Sequence, residues 1–232
     1  MAPLRDYGSL VRFSHSIFAL PFALCGAWLA AGGVPQLQSL LLVVVCAVCA
    51  RTAAMAFNRL VDARIDAQNP RTAQREIPSG KIRPQAAIGL IVLSSLGFIA
   101  AAFWLNPLSG WLSLPVLAVL FLYSYMKRIH WSAHLVLGLS LAIAPLGAYL
   151  AVRGELHSDV EPVLYLALAV LTWVAGFDLI YACQDTQFDR EQGLASIPAR
   201  FGIARALHVS ALLHGITVAA LVLCGLSAHL GW

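Results

Sequence analysis

Two rows of oxygen-bearing side chains recur at helical spacing in this 232-residue chain. The rows consist of Asn58, Asp62 and Asp66, and of Asp178, Tyr181, Asp185 and Asp189. Steps of four residues drift by only about 40° around an α-helix, so the first row forms one narrow stripe about 12 Å long. The three aspartates of the second row also fall within about 40° of one another, with the tyrosine beside them. Each row therefore predicts a line of oxygen ligands on one helix face.

Carboxylates grouped in this way need a neutralising partner. Each ionised acid near a membrane interior costs roughly 3 kcal/mol, and neighbouring acids repel one another. A hard divalent cation binds through oxygen, and Mg²⁺ is usually held by one or two carboxylates together with substrate phosphates. We therefore predict that the two rows hold Mg²⁺ on a diphosphate. The predicted metal ligands are Asn58, Asp62, Asp66, Asp178, Asp185 and Asp189.

Basic side chains lie close to both rows. Arg71 and Arg75 follow the first row, and Lys127 ends a later hydrophobic stretch that also carries Tyr123. Arg51 lies two helical turns before the first row, on the same face. Arginine suits bidentate recognition of phosphate, so metal, carboxylates and cations around one lipid-facing cavity predict a site for a lipid diphosphate. The predicted substrate contacts are Asn58, Arg71, Arg75, Tyr123, Lys127, Asp178, Tyr181 and Arg51.

Some of these residues also have a simpler interpretation. A single acidic row fits a solvated helix end, although two rows of like spacing, each beside an arginine-bearing loop, favour a site. Tyr123 and Tyr181 also fit a belt of interfacial aromatics, and Arg51 also fits a side chain that snorkels or binds a backbone carbonyl. The histidines show no metal-ligand spacing, so we expect them to pack or to lie at the interface. These are His15, His130, His134, His208 and His214.

Composition indicates the surroundings of the rows. Hydrophobic residues make up 60% of the chain and charged residues only 11%, against about 25% charged in an average soluble domain, so lipid must be part of the solvent. Backbone groups inside lipid must be satisfied within helices, so we predict an all-α membrane bundle formed by one domain, residues 1–232. Seven stretches are long enough to span: Ser16–Gly32, Leu37–Phe57, Ala86–Leu105, Ser109–Tyr125, Ala133–Val152, Pro162–Cys183 and Ala206–Leu226.

Positive charges predict the orientation of these spans. Lysines and arginines cluster on one side, and only Arg153 falls on the other, so we expect the N-terminus and both acidic rows to face the cytoplasm. The first span is too long for the core of a signal peptide, and we expect it to stay as an anchor in a bacterial inner (plasma) membrane. The net charge of +4 then reflects topology. No water-exposed basic domain is present, which argues against a nucleic acid as partner.

The motifs resemble one known family. Asn58–Asp66 with the following Asn69-Pro-Arg-Thr segment, and Asp178–Asp189, are similar to the two aspartate signatures of UbiA-type membrane prenyltransferases. Tyr123–Lys127 looks like the tyrosine–lysine motif of that family, and Arg12–Pro21 looks like its N-terminal segment. The resemblance covers nearly the whole chain.

The resemblance implies a ring of transmembrane helices around a central cavity, with a cap over its cytoplasmic mouth. It also implies that Mg²⁺ bridges aspartates to the diphosphate of a polyprenyl donor, whose polyprenyl group passes to an aromatic acid. Asp62, Asp66, Asp185 and Asp189 are then the expected catalytic residues. The family usually has nine spans, so we expect the last two helices to be missing after the seventh.

The acceptor and two rival classes stay open at this point. The resemblance favours 4-hydroxybenzoate in ubiquinone-type quinone synthesis, with a dihydroxynaphthoate-type menaquinone precursor close behind. Membrane phosphatidyl transferases also use aspartates and metal, but their Asp-Gly-x-x-Ala-Arg pattern is absent from this chain. An ion-coupled transporter is the alternative from another class, although its acids should lie near the bilayer midplane rather than at cytoplasmic helix ends.

Overall fold

The computed structural model describes residues 4–11 and 20–230, and this part of the chain is helical without strands. Its elements are α1 (Leu4–Leu10), α2 (Leu20–Ala31), α3 (Leu37–Gln68), α4 (Pro84–Leu105), α5 (Pro107–Ile129), α6 (Ala133–Arg153), α7 (Glu161–Ala182), a 3₁₀ turn (Cys183–Asp185), α8 (Thr186–Glu191), α9 (Ile197–Phe201) and α10 (Ile203–Ser227).

Six helices in the described part of the chain are long and apolar enough to cross a membrane, namely α3, α4, α5, α6, α7 with its continuation, and α10. The predicted all-helical membrane bundle is thereby confirmed, and the protein is an integral membrane protein. The first predicted span is described only as the 12-residue α2, because residues 12–19 lie outside the described residues. His15 and most of Arg12–Pro21 fall in that gap.

Proline and asparagine fix several helix starts. Pro84 and Pro107 occupy the first turns of α4 and α5, where a missing N–H costs nothing. Asn106 caps α5 by accepting a hydrogen bond from the Ser109 backbone nitrogen at 2.8 Å. Its amide nitrogen also donates to the carbonyl of Leu150 at 3.0 Å. One side chain therefore joins the start of α5 to the end of α6.

The long helices approach one another closely where glycine removes the side chain. A Cβ at Gly138 would overlap the carbonyl oxygen of Leu171, so α6 and α7 are in backbone contact there. A Cβ at Gly26 would overlap the backbone of Pro145, which brings α2 onto α6. Small residues commonly allow this approach in membrane bundles. Helices α3 to α7 pack each on the next, α2 contacts α3 and α6, and α10 packs on α7.

Both ends of the bundle are held by polar contacts. At the end opposite the acidic rows, the Tyr149 hydroxyl donates to Asp159 at 2.7 Å, and Arg153 forms an ion pair with the same carboxylate. The Tyr149 hydrogen bond, with the positive charge of Arg153, lowers the pKa of Asp159 below its ordinary value. At the end that carries the acidic rows, Leu10 of α1 is fully buried in a cluster with Ile77 and Ile82. The N-terminal helix thereby supports the connection between α3 and α4.

Candidate active site

A cavity of about 710 Å³ runs between the long helices. That volume lies within the range of roughly 300–1,000 Å³ that is typical of ligand sites. Its lining includes all twelve residues that the sequence predicts as catalytic, substrate-binding or metal-binding. The aspartates, Arg71, Arg75 and Lys127 lie at one end, and alanine, leucine and aromatic side chains of α3 to α7 line the rest. The two acidic rows therefore face one compartment.

The first row lies on α3, whose 32 residues extend it to about 48 Å, well beyond a hydrocarbon core of about 30 Å. Asp62 is buried at 2% exposure. Its carboxylate accepts from Lys127 Nζ at 2.6 Å and from Arg128 Nη2 at 2.8 Å. Asn58 donates to the same carboxylate at 3.2 Å. Two cations from the end of α5 thus neutralise one buried acid of α3.

Asp66 ends the first row and is bound by the connection that follows it. Nη1 of Arg75 lies 2.8 and 2.7 Å from the two carboxylate oxygens. The Thr72 hydroxyl donates to the Asp66 backbone carbonyl at 3.0 Å. Helix α3 ends at Gln68, with Asn69 as its C-cap, because Pro70 disfavours a helical conformation at the residue before it. The chain then turns back so that Arg75 reaches the helix it has just left.

The second row is less regular than a continuous helix. Residues Cys183–Asp185 form a 3₁₀ turn between α7 and α8, so the expected α-helical register holds only up to Ala182. Asp185 accepts from Nε of Arg71 at 3.0 Å and also pairs with Nη2 of that arginine. The amide of Asn69 donates to the same carboxylate at 3.4 Å. The connection after α3 thus binds both rows.

The other two aspartates of the second row have neutral or weakly basic partners. Asp189 accepts a hydrogen bond from the Ser196 hydroxyl at 2.9 Å. Asp178 lies two turns deeper than Asp185 along α7, and its Oδ2 is 2.7 Å from Nδ1 of His134. Asp178 therefore differs from the cation-bound aspartates in two respects: it lies deeper along the helix, and its partner is a histidine.

The donor set suits a hard cation, although the described residues contain no group of three His, Cys, Asp or Glu side chains placed to hold a metal. Every candidate ligand is an oxygen. Magnesium is usually held by one or two carboxylates plus phosphate and water, so paired carboxylates fit it without a three-residue cluster. Arg71, Arg75 and Lys127 meanwhile neutralise the acids.

A positively charged side chain, that of Arg51, lines a second and deeper part of the cavity. Arg51 on α3 lines it two turns from Asn58, which is about 10 Å. Its Nε atom is buried and has no hydrogen-bond partner among the described residues. Trp173 and Phe177 of α7 supply aromatic walls. A partly buried cation in a cavity with aromatic lining suits a small planar anion better than it suits lipid.

Among the described residues, four side chains that bind the carboxylates of the two rows are absent from the predicted set: Asn69, Arg128, His134 and Ser196. Arg128 directly follows Lys127, and this neighbouring position is the sequence feature that could have identified it as a partner of the first row. Ser196 precedes Pro198 as the N-cap of α9, which marks a helix start but not a contact with Asp189. His134, expected only to pack, hydrogen-bonds Asp178 across 44 positions. Nothing local in the sequence indicates that contact.

Comparison with known proteins gives a consistent result. The model of the UbiA prenyltransferase family matches residues 19–232. The 4-hydroxybenzoate octaprenyltransferase of Pseudomonas aeruginosa (strain LESB58) is 34% identical over 97% of this chain and 76% of its own length. The enzyme of that name from Marinomonas sp. (strain MWYL1) is also 34% identical, over 100% of this chain and 82% of its own length.

Solved structures share the fold. The apo structure of a UbiA homolog from Aeropyrum pernix K1 superposes with a TM-score of 0.87 at 38% identity, covering 94% of this chain and 81% of that one. A UbiA homolog from Archaeoglobus fulgidus bound to DMAPP and Mg²⁺ has a TM-score of 0.70 at 19% identity, covering 96% of this chain and 84% of that one. At that lower identity the likeness concerns the fold alone.

Proposed function

This chain belongs to the UbiA prenyltransferase family, and from that membership we propose that it transfers a polyprenyl group from polyprenyl diphosphate to 4-hydroxybenzoate. The observation that carries the proposal is one cavity with two chemically different parts: carboxylates and cations in one, and in the other a partly buried arginine with apolar and aromatic lining. The 34% identity to enzymes named 4-hydroxybenzoate octaprenyltransferase supports this acceptor.

The donor diphosphate binds at the polar end. Arg71, Arg75 and Lys127 each line the cavity and each pair with an aspartate. A diphosphate entering between them offers the cations new anionic partners, and charge-assisted hydrogen bonds to phosphate are among the strongest that arginine forms. The same cations then stabilise the charge that develops on the departing pyrophosphate.

Release of the cations frees the carboxylates for a metal. Asp62, Asp66, Asp185 and Asp189, with Asn58, would hold Mg²⁺ at the diphosphate. When bound, Mg²⁺ supplies Lewis-acid stabilisation of the leaving group. The protein contributes oxygen ligands from two separate elements that line one cavity.

The acceptor binds below, between the donor and Arg51. The unpartnered Nε of Arg51 offers a hydrogen bond to a carboxylate in a buried setting. A benzoate whose carboxylate meets Arg51 directs its phenol end towards the polar part of the cavity, because the two groups lie at opposite ends of the ring. The carbon beside the phenol hydroxyl is then the one closest to the allylic carbon.

The transfer step replaces one bond by another. The allylic C–O bond breaks, pyrophosphate leaves with the bonding electrons, and the ring carbon beside the phenol hydroxyl forms the new C–C bond. That carbon then gives its proton to a base, either an aspartate of the site or the departing pyrophosphate, and the aromatic ring is restored. The apolar walls exclude water, which would otherwise capture the allylic cation, and the faces of Trp173 and Phe177 can stabilise positive charge.

The membrane setting follows from the substrate. A long isoprenoid tail leaves the cavity between helices into lipid, so a water-soluble enzyme would have to extract it. We place the protein, as a single domain, in a bacterial inner membrane with its aspartates on the cytoplasmic side, in agreement with the arginines and lysines at that end.

Product identification tests the proposal. Protein in detergent or nanodiscs is incubated with geranyl diphosphate, Mg²⁺ and, in separate reactions, 4-hydroxybenzoate, a dihydroxynaphthoate and unsubstituted phenol. The proposal predicts a C-prenylated 4-hydroxybenzoate by mass spectrometry and no product without Mg²⁺. If the dihydroxynaphthoate is prenylated in preference, the proposed acceptor is wrong and the proposed reaction, prenyl transfer to an aromatic ring, still stands. Absence of any prenylated aromatic product would contradict the function.

A further inference from the structure

His134 is a buried histidine on the wall of the cavity. It is the second residue of α6, and only 4% of its surface is exposed. Its Nδ1 lies 2.7 Å from Oδ2 of Asp178 on α7. Its Nε2 lies 3.5 Å from the backbone nitrogen of Ile197, the first residue of α9. One imidazole therefore bridges a transmembrane helix and the cytoplasmic connection.

The two contacts determine which nitrogen carries the proton. The Ile197 N–H can only donate, so Nε2 must be the accepting nitrogen of the ring. The proton then lies on Nδ1, which donates it to the Asp178 carboxylate. A neutral ring with this tautomer satisfies both partners, and rotation of the ring would lose both. His134 is thus held in one orientation and holds Asp178 in turn.

The segment that His134 contacts is anchored at three successive residues. The Ala195 nitrogen donates to the Lys127 carbonyl at 2.7 Å. The Ser196 hydroxyl donates to Asp189 at 2.9 Å, and the Ile197 nitrogen donates to His134. Ala195 and Ser196 also line the cavity. The segment therefore joins the end of α5, the start of α6 and the second acidic row above the mouth of the cavity.

Asp178 has an oxygen available to a ligand. Its side chain is 30% exposed and lines the cavity, and among the described residues only Oδ2 takes part in a hydrogen bond. It lies two turns below Asp185, as Arg51 lies two turns below Asn58 on the opposite wall. Both residues thus lie below the ends of the two rows, where the acceptor is proposed to bind.

We propose that His134 is a positioning residue that fixes the Asp178 carboxylate so that Oδ1 accepts a hydrogen bond from the acceptor hydroxyl, and that ties this carboxylate to segment Ala195–Ile197. The inference rests on the proposed function. It assigns Asp178 to the acceptor instead of the metal. The acceptor is then held at both ends, by Arg51 at its carboxylate and by Asp178 at its hydroxyl.

Two isosteric variants separate this role from simple packing. His134→Asn keeps an amide nitrogen near the position of Nδ1, and His134→Gln carries its amide further out, towards the position of Nε2. His208→Ala, an exposed histidine on α10, is the control. KM for 4-hydroxybenzoate is measured at saturating geranyl diphosphate, and KM for geranyl diphosphate at saturating acceptor. Amide exchange at Ile197 is followed in parallel by hydrogen–deuterium mass spectrometry.

We expect His134→Gln to raise the acceptor KM about tenfold, the usual size of a lost hydrogen bond to a charged group, while the donor KM stays within about twofold. His134→Asn should have an acceptor KM close to that of the wild type. Its Ile197 amide should exchange faster than in the wild type, because the short asparagine side chain cannot reach that amide. Equal rises in both KM values, or an unchanged acceptor KM in His134→Gln, would overturn the proposal. A wild-type protein that forms no product contradicts the proposed function instead, and Ile197 exchange then still decides whether His134 holds the segment.

Discussion

Arg71 and Asp185 join the two halves of the site. The guanidinium of Arg71, on the connection after α3, binds the carboxylate that follows α7, with Nε 3.0 Å from Oδ1. The Arg71 side chain is 48% exposed, and ion pairs of that exposure contribute only about 0–1 kcal/mol to stability. The pair is therefore a weak support for the fold and a suitable contact for a charged substrate to displace.

The first prediction concerns that displacement. Arg71→Ala should raise KM for geranyl diphosphate about tenfold or more, because a cation on the leaving group is lost, while the melting temperature stays nearly unchanged. Arg64→Ala, on the exposed face of α3, is the matched control and should leave KM unaltered. Steady-state kinetics and a thermal melt in detergent measure both. A large fall in melting temperature with an unaltered donor KM would assign Arg71 to structure alone.

Lys127 and Arg128 allow a comparison at adjacent positions. Both bind Asp62, but only Lys127 lines the cavity. Lys127→Met should therefore raise the donor KM, whereas Arg128→Met should mainly lower the melting temperature, because Asp62 is buried and loses a partner. Kinetics and thermal melts of the two variants distinguish the roles. The reverse pattern would show that Arg128 is the substrate contact.

Arg51 should determine the preference for an acidic acceptor. Arg51→Met keeps the length and apolar surface of the side chain and removes the charge. We expect its KM for 4-hydroxybenzoate to rise at least about tenfold, and its KM for 4-hydroxybenzamide, which lacks the carboxylate, to change little. Donor KM serves as the internal reference. Equal losses for both acceptors would place Arg51 outside the acceptor site.

Backbone contact between α6 and α7 gives a prediction about stability. An alanine at position 138 would place its Cβ against the Leu171 carbonyl, so Gly138→Ala should lower the melting temperature. Gly225→Ala is the matched control, because its Cβ would meet nothing within 4 Å, and alanine favours a helix over glycine by about 1 kcal/mol. Thermal unfolding in one detergent compares the two. Equal melting temperatures would mean that α6 and α7 can move apart at position 138 without loss of stability.

Much of the architecture could be predicted from local patterns. Hydrophobic length predicts the six long helices, Pro70 predicts the end of α3 near Gln68, and spacing by four predicts that Asn58, Asp62 and Asp66 share a face. These features depend only on neighbours along the chain. The grouping of all twelve predicted residues around one cavity also follows, because both acidic rows emerge on the same side of the membrane.

Contacts between distant elements could not be predicted in the same way. The 3₁₀ turn at Cys183–Asp185 changes the register of the second row, and no proline or glycine marks it. The partners of Asp62 and Asp178 come from α5 and α6, whose placement depends on close packing at positions such as Gly138. The sequence contains these residues, but helix packing decides which of them meet.

The central claim is that the two acidic rows bind one shared ligand, and a double-mutant cycle tests it most directly. Binding of a non-hydrolysable geranyl thiodiphosphate in the presence of Mg²⁺ is measured by calorimetry for the wild type, Asp62→Ala, Asp185→Ala and the double variant. We expect each single variant to weaken binding about 10–100-fold, and the double variant to be scarcely weaker than either, because one bridged ligand is already lost. Losses that simply add, or full Mg²⁺-dependent binding in both single variants, would contradict the account.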